Sequence, residues 1–143
     1  MEKLPKELLS EDKNTRVSVA YEAETAVMKG KFQKKEYRKQ MGVFFGKGKG
    51  SSIEWNVSTG LVQVYALRFK YMNTSGKPIP VLMKFIDAKR VVLKEDIQIF
   101  PETPDKWKMM STTTGTFINA GHYKVLLSAD TMEGLAFDAL DIQ

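Results

Sequence analysis

The stretch "VQVYALRFKY", residues 62–71, alternates between two kinds of side chain with a period of two. Successive side chains of a β-strand point to opposite faces, so this spacing predicts a strand with one face in a hydrophobic core. The predicted core face consists of Tyr65, Leu67, Phe69 and Tyr71. The opposite face grades from apolar to charged along the strand, and we expect it to emerge into solvent.

The same short alternating segments continue along the chain from Thr15 and are separated by turn-forming Gly, Pro, Asn and Asp. No stretch after residue 14 has a sustained helical stripe, and many short strands without helices indicate an all-β fold. We therefore predict a β-sandwich jelly roll of two packed antiparallel sheets, over residues 15–143 as a single domain. Residues 1–14 are predicted to be a linker or tether, and Trp55 in "SIEWNV" a core residue.

The composition is that of a globular domain, with 143 residues, 43% hydrophobic and 27% charged. The absence of cysteine excludes disulfides and thiolate metal sites. No apolar run approaches the roughly 20 residues that span a bilayer, so we expect no membrane insertion. The first fourteen residues are charged and lack the continuous apolar core of a signal peptide.

A basic stretch, "KGKFQKKEYRKQ" at residues 29–40, carries much of the formal net charge of +5. It is either a solvated loop or strand edge, or a surface that attracts a polyanion such as nucleic acid or a uronate-rich glycan. Its aromatic residues are sparse and no nucleic-acid motif accompanies it. We therefore expect no nucleic-acid partner.

Three features that could indicate an enzyme lack the context that catalysis needs. The glycine-rich segment "FGKGKGSS" at residues 45–52 fails the phosphate-loop spacing and precedes a strand, which predicts a bend. His122 lies in "NAGHY" with no nucleophile motif, which predicts a surface turn residue. Glu22 and Glu24 come from one predicted strand, whereas glycosidase carboxylates flank the substrate from separate elements. The sequence favours a protein that is not an enzyme.

A pair of carboxylates opens the domain in "SVAYEAETAVMKG", residues 18–30. Glu22 and Glu24 are two apart, so on a strand they project from the same side and repel each other. Asp138 is predicted to share a strand face with apolar Ala136, Leu140 and Ile142. First and last strands often neighbour each other because chain termini tend to lie close together. The pair is therefore either a solvated edge or, with Asp138, a site for Ca²⁺, which prefers oxygen ligands.

An ordered set of motifs from about Val17 to Gln143 resembles the carbohydrate-binding modules of families 6 and 35. The motifs are "YEAE", "GVFFGKGKGSSIEWNV", "VYALRFKY", "FPETPDKWKMM", "INAGHYKVLLSA" and "FDALDIQ". Modules of this kind are jelly rolls appended to secreted bacterial glycoside hydrolases, including β-galactosidase-like enzymes. The resemblance implies an extracellular or periplasmic accessory domain of a glycoside hydrolase that binds glycan or an oligosaccharide without catalysis. The alternative is a structural accessory domain that packs against its catalytic domain and binds no sugar.

The resemblance also implies a metal site. Glu22 and Glu24 match the two family glutamates that bind a structural Ca²⁺, and Asp138 matches the aspartate that supplies a third ligand. Under this interpretation the pair at the start of the domain holds a metal that clamps the first strand to the last.

The sugar site implied by the resemblance lies at a loop end of the sandwich. Trp107 matches a family tryptophan and is either a stacking platform for a pyranose or a core residue. Val43 stands where the family has a stacking aromatic, and Ala136 where it has an asparagine. Phe44 and Tyr37 are the remaining aromatic candidates.

Overall fold

The computed structural model describes residues 18–143, so the predicted tether at residues 1–14 lies outside the described residues. Within residues 18–143 the chain forms β-strands and a single 3₁₀ turn at Ala23–Thr25, with no longer helix. The strands are β1 (Val19–Glu22), β2 (Val27–Lys29), β3 (Phe32–Tyr37), β4 (Gln40–Phe45), β5 (Ser51–Thr59), β6 (Ala66–Asn73), β7 (Ile79–Asp87), β8 (Val92–Phe100), β9 (Lys108–Thr113), β10 (Gly121–Ala129) and β11 (Leu135–Ile142).

The strands form two sheets in which every pairing is antiparallel. The first sheet has the order β9-β6-β11-β4-β3, and β1 also pairs with β11. The second sheet has the order β2-β5-β10-β7-β8. Most spatial neighbours are distant in the chain, as in jelly rolls. The predicted sandwich of two antiparallel sheets is confirmed, and within residues 18–143 the first strand pairs with the last, as expected.

The alternation in residues 62–71 has the predicted register, although β6 begins only at Ala66. The four predicted core residues are all buried, namely Tyr65, Leu67, Phe69 and Tyr71. Trp55 is buried as predicted, and its ring meets those of Phe69 and Phe137 at centroid distances of 5.8 and 6.0 Å. These rings come from both sheets, so aromatic packing joins the two layers.

The prediction that Asp138 shares a face with Ala136, Leu140 and Ile142 was wrong for Leu140 and Ile142, which are core residues, whereas Ala136 and Asp138 both lie outside the core. Phe137 pairs with Tyr71 and Ala139 pairs with Lys70, so Asp138 is the extra residue of a β-bulge. The bulge reverses the alternation within β11. Leu135 and Phe137 before it and Leu140 and Ile142 after it therefore all belong to the core, whereas Ala136 lies opposite Phe44, outside that core.

The stretch 18–30 is not one strand, which corrects the expectation that Glu22 and Glu24 project from the same side of it. β1 ends at Glu22, and the 3₁₀ turn that contains Glu24 carries the chain from the first sheet to the second. Because Glu24 is not in the same strand as Glu22, their spacing by two in the sequence does not determine whether their side chains project in the same direction.

The structure shows the secondary structure of two surface segments, the basic stretch at residues 29–40 and the segment around His122. The basic stretch forms the edge strand β3 and the turn into β4, where Arg38 and Lys39 have φ of 52° and 67°, so it is a strand edge. His122 lies in β10 rather than in a turn, because "GHY" already pairs with β5. Its Nδ1 is 3.0 Å from the hydroxyl oxygen of Ser58, at an exposed position.

Truncation of Phe137 should test how much the aromatic core contributes to stability. Phe137 is 0% exposed and its ring meets those of Phe45, Trp55 and Phe100 edge-on. We expect Phe137→Ala to lower the free energy of unfolding by about 3–5 kcal/mol in urea denaturation, because it leaves a cavity. Phe117→Ala is the control, since Phe117 is 72% exposed, and should change stability by no more than about 0.5 kcal/mol. Equal effects of the two substitutions would contradict the assignment of the core.

Candidate functional site

The outer face of the first sheet carries three aromatic side chains that we call the aromatic cluster: Tyr37, Phe44 and Trp107. The ring of Phe44 meets that of Tyr37 edge-on at 6.2 Å between centroids, and that of Trp107 edge-on at 5.9 Å. Each ring is partly exposed. The structure thus brings together the three aromatic residues that the sequence singled out, from β3, β4 and the loop before β9.

Trp107 is neither a core residue nor a free surface side chain. Its indole Nε1 donates a hydrogen bond to the carbonyl oxygen of Tyr37 at 3.1 Å. The far edge of the indole lies against Gly42, where a Cβ would be 2.7 Å from the Trp107 Cη2 atom. A side chain at position 42 would therefore push the indole away. Glycine at this position and the hydrogen bond together fix the ring on the outer face.

The loop that carries Trp107 is tied to the β3–β4 hairpin through Asp105. The Tyr37 hydroxyl donates a hydrogen bond to the Asp105 carboxylate, and Arg38 pairs with the same group at 3.0 Å. These two partners lower the pKa of Asp105, because the hydrogen bond from Tyr37 and then that from Arg38 stabilise the ionised carboxylate. The anchoring therefore persists at neutral pH.

A cleft of about 440 Å³ adjoins the aromatic cluster at the end of the sheet. Phe44 belongs to both, and the cleft lies between the β3–β4 hairpin and the β4–β5 and β10–β11 loops. Three lysines line it, and we call it the lysine cleft after them: Lys31, Lys35 and Lys47. The Lys35 ammonium lies over the Phe44 ring, 4.6 Å from its centroid, which is a cation–π contact.

A larger cleft of about 1190 Å³ lies beyond the β6–β7 loop and shares Thr74 and Gly134 with the lysine cleft. Its lining residues are mostly serine, threonine, proline and aliphatic residues, and they include no aromatic ring. A pyranose would find no stacking surface there. The smaller cleft beside Phe44 is therefore the stronger candidate for the sugar site that the resemblance implies, although its volume is smaller.

The strand register explains which residues of β4 face the candidate site. Val43 and Phe45 are buried in the core, so Phe44 between them turns its ring to the outer face. Ala136 lies directly opposite Phe44 in β11. The aromatic surface that Val43 lacks is thus provided by the next residue. Lys31 and Lys35 were visible in the sequence as part of the basic stretch and Lys47 as part of the glycine-rich segment, but not as members of one site.

The predicted metal residues lie near the bulge in β11. Glu22 pairs with Ala139, next to Asp138. The pKa of Glu22 is raised by partial desolvation of its carboxyl group, then by the charges of Asp138 and Glu24. Carboxylates whose charges raise the pKa of Glu22 lie close enough to repel it. Even so, residues 18–143 contain no group of three acidic or imidazole side chains placed to hold a metal ion.

Asp138 already has a cation beside it. Its side chain is buried, and its Oδ2 atom is 3.4 Å from the ammonium of Lys70. The same ammonium donates a hydrogen bond to the side-chain oxygen of Gln40 at 3.2 Å. The three carboxylates supply the oxygen ligands that Ca²⁺ prefers, but a bound ion would have to share Asp138 with Lys70 or displace it.

No protein-family model matches the chain, and no curated protein matches it by sequence. Solved structures do match. A family 35 carbohydrate-binding module from Clostridium thermocellum superposes with a TM-score of 0.72 at 22% identity, over 89% of this chain and 98% of that one. The C-terminal family 6 module of a laminarinase from Zobellia galactanivorans gives 0.69 at 18% identity, over 89% and 99%. The chain has the fold of these carbohydrate-binding modules.

The same fold also occurs as part of larger enzymes. An isomalto-dextranase from Arthrobacter globiformis, solved with panose, matches with a TM-score of 0.71 at 17% identity. The match covers 87% of this chain but only 23% of the enzyme.

In the described part of the chain no helix has the length and apolarity needed to cross a bilayer.

Lys70→Met should show whether the ammonium stabilises the buried Asp138. Removal of one partner leaves a buried carboxylate uncompensated, so we expect a loss of about 1–3 kcal/mol in the free energy of unfolding in chelator. Lys124→Met is the matched control, because Lys124 pairs at 3.6 Å with the more exposed Glu54, and it should cost less than about 1 kcal/mol. Equal losses in urea denaturation would show that Asp138 does not depend on Lys70.

Proposed function

We propose that this chain is a non-catalytic carbohydrate-binding module that binds glycan at the aromatic cluster and the adjoining lysine cleft. The observation that carries the proposal is a partly exposed Phe44 and Trp107 beside an open cleft, on the fold of family 35 and family 6 modules. Aromatic rings offer the apolar face of a pyranose a broad surface, and polar groups nearby bind its hydroxyls.

The indole of Trp107 is held in place before any ligand binds. Its hydrogen bond to Tyr37 and its contact with Gly42 fix the ring, so little side-chain freedom remains to be lost when a sugar stacks on it. A single stacking site of this kind binds weakly. Attachment to a glycoside hydrolase would raise its effective concentration at the substrate. We therefore infer an accessory domain of a secreted bacterial enzyme, β-galactosidase-like in type, in an extracellular or periplasmic location.

One observation favours the alternative function, a structural domain that packs against its catalytic partner. The outer face of the second sheet exposes the aliphatic side chains of Ile97 and Ile99 on the edge strand β8, in the same row as the charged Glu95. An attached domain would remove this apolar surface from water. The two functions differ in one respect that can be measured, which is whether the isolated chain binds any glycan.

We also propose a structural Ca²⁺ bound by Glu22, Glu24 and Asp138. The proposal is supported by the pairing of β1 with β11, which places Glu22 beside Asp138, and by the raised pKa of Glu22. Bound Ca²⁺ would add positive charge to that of Lys70, which alone faces several carboxylates, and would join β1 to β11. Because residues 18–143 contain no preformed group of three such ligands, the side chains of Glu22, Glu24 and Asp138 would have to converge on the ion, and none of them lies in the aromatic cluster.

Truncation of the aromatic cluster should abolish glycan binding. We expect Trp107→Ala and Phe44→Ala each to remove the retardation of the chain by galactan, laminarin or pectin in native affinity electrophoresis, because stacking supplies much of the apolar contact. Phe117→Ala, which removes an exposed ring elsewhere, should migrate like wild type, and all variants should keep the wild-type circular dichroism spectrum. If no polysaccharide in a wider glycan panel retards even the wild-type chain, the structural alternative is favoured.

Calcium should raise the melting temperature of the wild-type chain. At free Ca²⁺ of about 100 times Kd, a site present only in the folded state adds about 2.7 kcal/mol to the free energy of unfolding. Glu24→Gln removes a ligand and should melt at one temperature in Ca²⁺ and in chelator, whereas Glu102→Gln, at an exposed loop position, should respond like wild type. Identical wild-type melting in both conditions, measured by calorimetry, would exclude a stabilising calcium site.

A further inference from the structure

The positive charge of the chain is concentrated around the lysine cleft. Residues 29–49 contain eight lysines and arginines against one glutamate, a net charge of +7, whereas the whole chain carries +5. The rest of the sequence is therefore net negative. A cluster of one sign raises the local electrostatic potential and attracts ligands of the opposite sign.

The lysines of the cleft are not neutralised by the protein itself. Within residues 18–143, no carboxylate lies within ion-pair distance of Lys31, Lys35 or Lys47, whereas Arg38 on the same hairpin is paired with Asp105. Three ammonium groups around one cleft repel one another, and an anion between them relieves this repulsion. The unpaired ammonium groups therefore attract a negatively charged ligand to the cleft.

The backbone holds the cleft in shape. The amide of Gly46 donates to the carbonyl of Lys31 at 3.0 Å, and a Cβ at Gly48 would be 2.7 Å from the Lys31 Cγ atom. The glycine-rich loop can therefore lie against the stem of Lys31 only because it lacks side chains there. This packing keeps Lys31 beside the loop that carries Lys47.

We propose that the lysine cleft makes this chain selective for acidic polysaccharides, whose sugars carry a carboxylate or a sulfate. The proposal rests on the proposed glycan binding and names its substrate class. A pyranose stacked on the Phe44 ring would take the place of the Lys35 ammonium over that ring, and Lys31, Lys35 and Lys47 would then surround its acidic group. The apolar ring face recognises the sugar and the ammonium groups recognise the charge, so neither alone accounts for the selectivity.

Pairs of polymers that differ mainly in charge test this proposal with the wild-type chain. Affinity electrophoresis with polygalacturonate against highly methyl-esterified pectin varies the carboxylate, and dextran sulfate against dextran varies the sulfate. We expect at least one acidic polymer to bind about tenfold or more tightly than its neutral counterpart, and the preference to weaken with salt. Single-stranded DNA serves as a polyanion without pyranose rings and should bind more weakly than the preferred acidic polymer.

Two triple variants with the same charge loss separate the cleft from net charge. Lys31→Gln, Lys35→Gln and Lys47→Gln together should abolish the preference for the acidic polymer, with a loss of about tenfold or more in affinity. The control removes three lysines elsewhere, by Lys84→Gln, Lys89→Gln and Lys124→Gln, and should keep the preference.

The remaining outcomes overturn the proposal. Equal losses in both triple variants would assign binding to net charge, and DNA binding as tight as that of the acidic polymer would show a general polyanion surface. Equal binding of acidic and neutral polymers would refute selectivity while glycan binding stands. Binding to no polysaccharide at all would refute the proposed function as well.

Discussion

The extra residue at Asp138 in the last strand sets the arrangement of the first sheet. β11 lies in the middle of that sheet, with β6 on one side and β4 and β1 on the other. Without a bulge, alternation would turn either Phe137 or Leu140 out of the core, because they are three residues apart. The bulge allows both to be buried and leaves the carboxylate of Asp138 under the outer face, where Lys70 compensates it.

Local alternation predicted the parts of the fold in which each strand keeps one register. The core face from Tyr65 to Tyr71 and the burial of Trp55 follow from period two alone. The side of the sheet on which Asp138 lies could not be predicted in this way. One inserted residue exchanges the inward and outward positions of every later residue in the strand, and the local sequence carries no signal of it. The end of β1 at Glu22 could not be predicted for a similar reason, because "YEAETAV" is compatible with one continuous strand and with two strands joined by a turn.

The sequence identified individual residues of the candidate site but did not predict which of them lie in contact. The resemblance to known modules singled out Trp107, and its partners Tyr37 and Gly42 lie about 65–70 residues earlier in the sequence. Such contacts depend on the β3–β4 hairpin and the loop before β9 reaching the same part of the sheet. The lysine cleft likewise combines a strand edge with the glycine-rich loop. In the sequence these were two separate features, a basic stretch with two alternative interpretations and a predicted bend.

The first sheet has two charged regions, the bulge at Asp138 and the lysine cleft, and they differ in whether the protein itself supplies the opposite charge. At the bulge, the buried Asp138 has Lys70 within 3.4 Å, so its charge is compensated inside the fold. At the lysine cleft, the charges of Lys31 and Lys35 have no such carboxylate among the described residues, and they remain near solvent. Burial makes an unpaired charge costly, whereas exposure to water makes it tolerable. A charged cluster that does not stabilise the fold is available for the proposed binding, so the stability of this sandwich and its proposed binding surface depend on different charges.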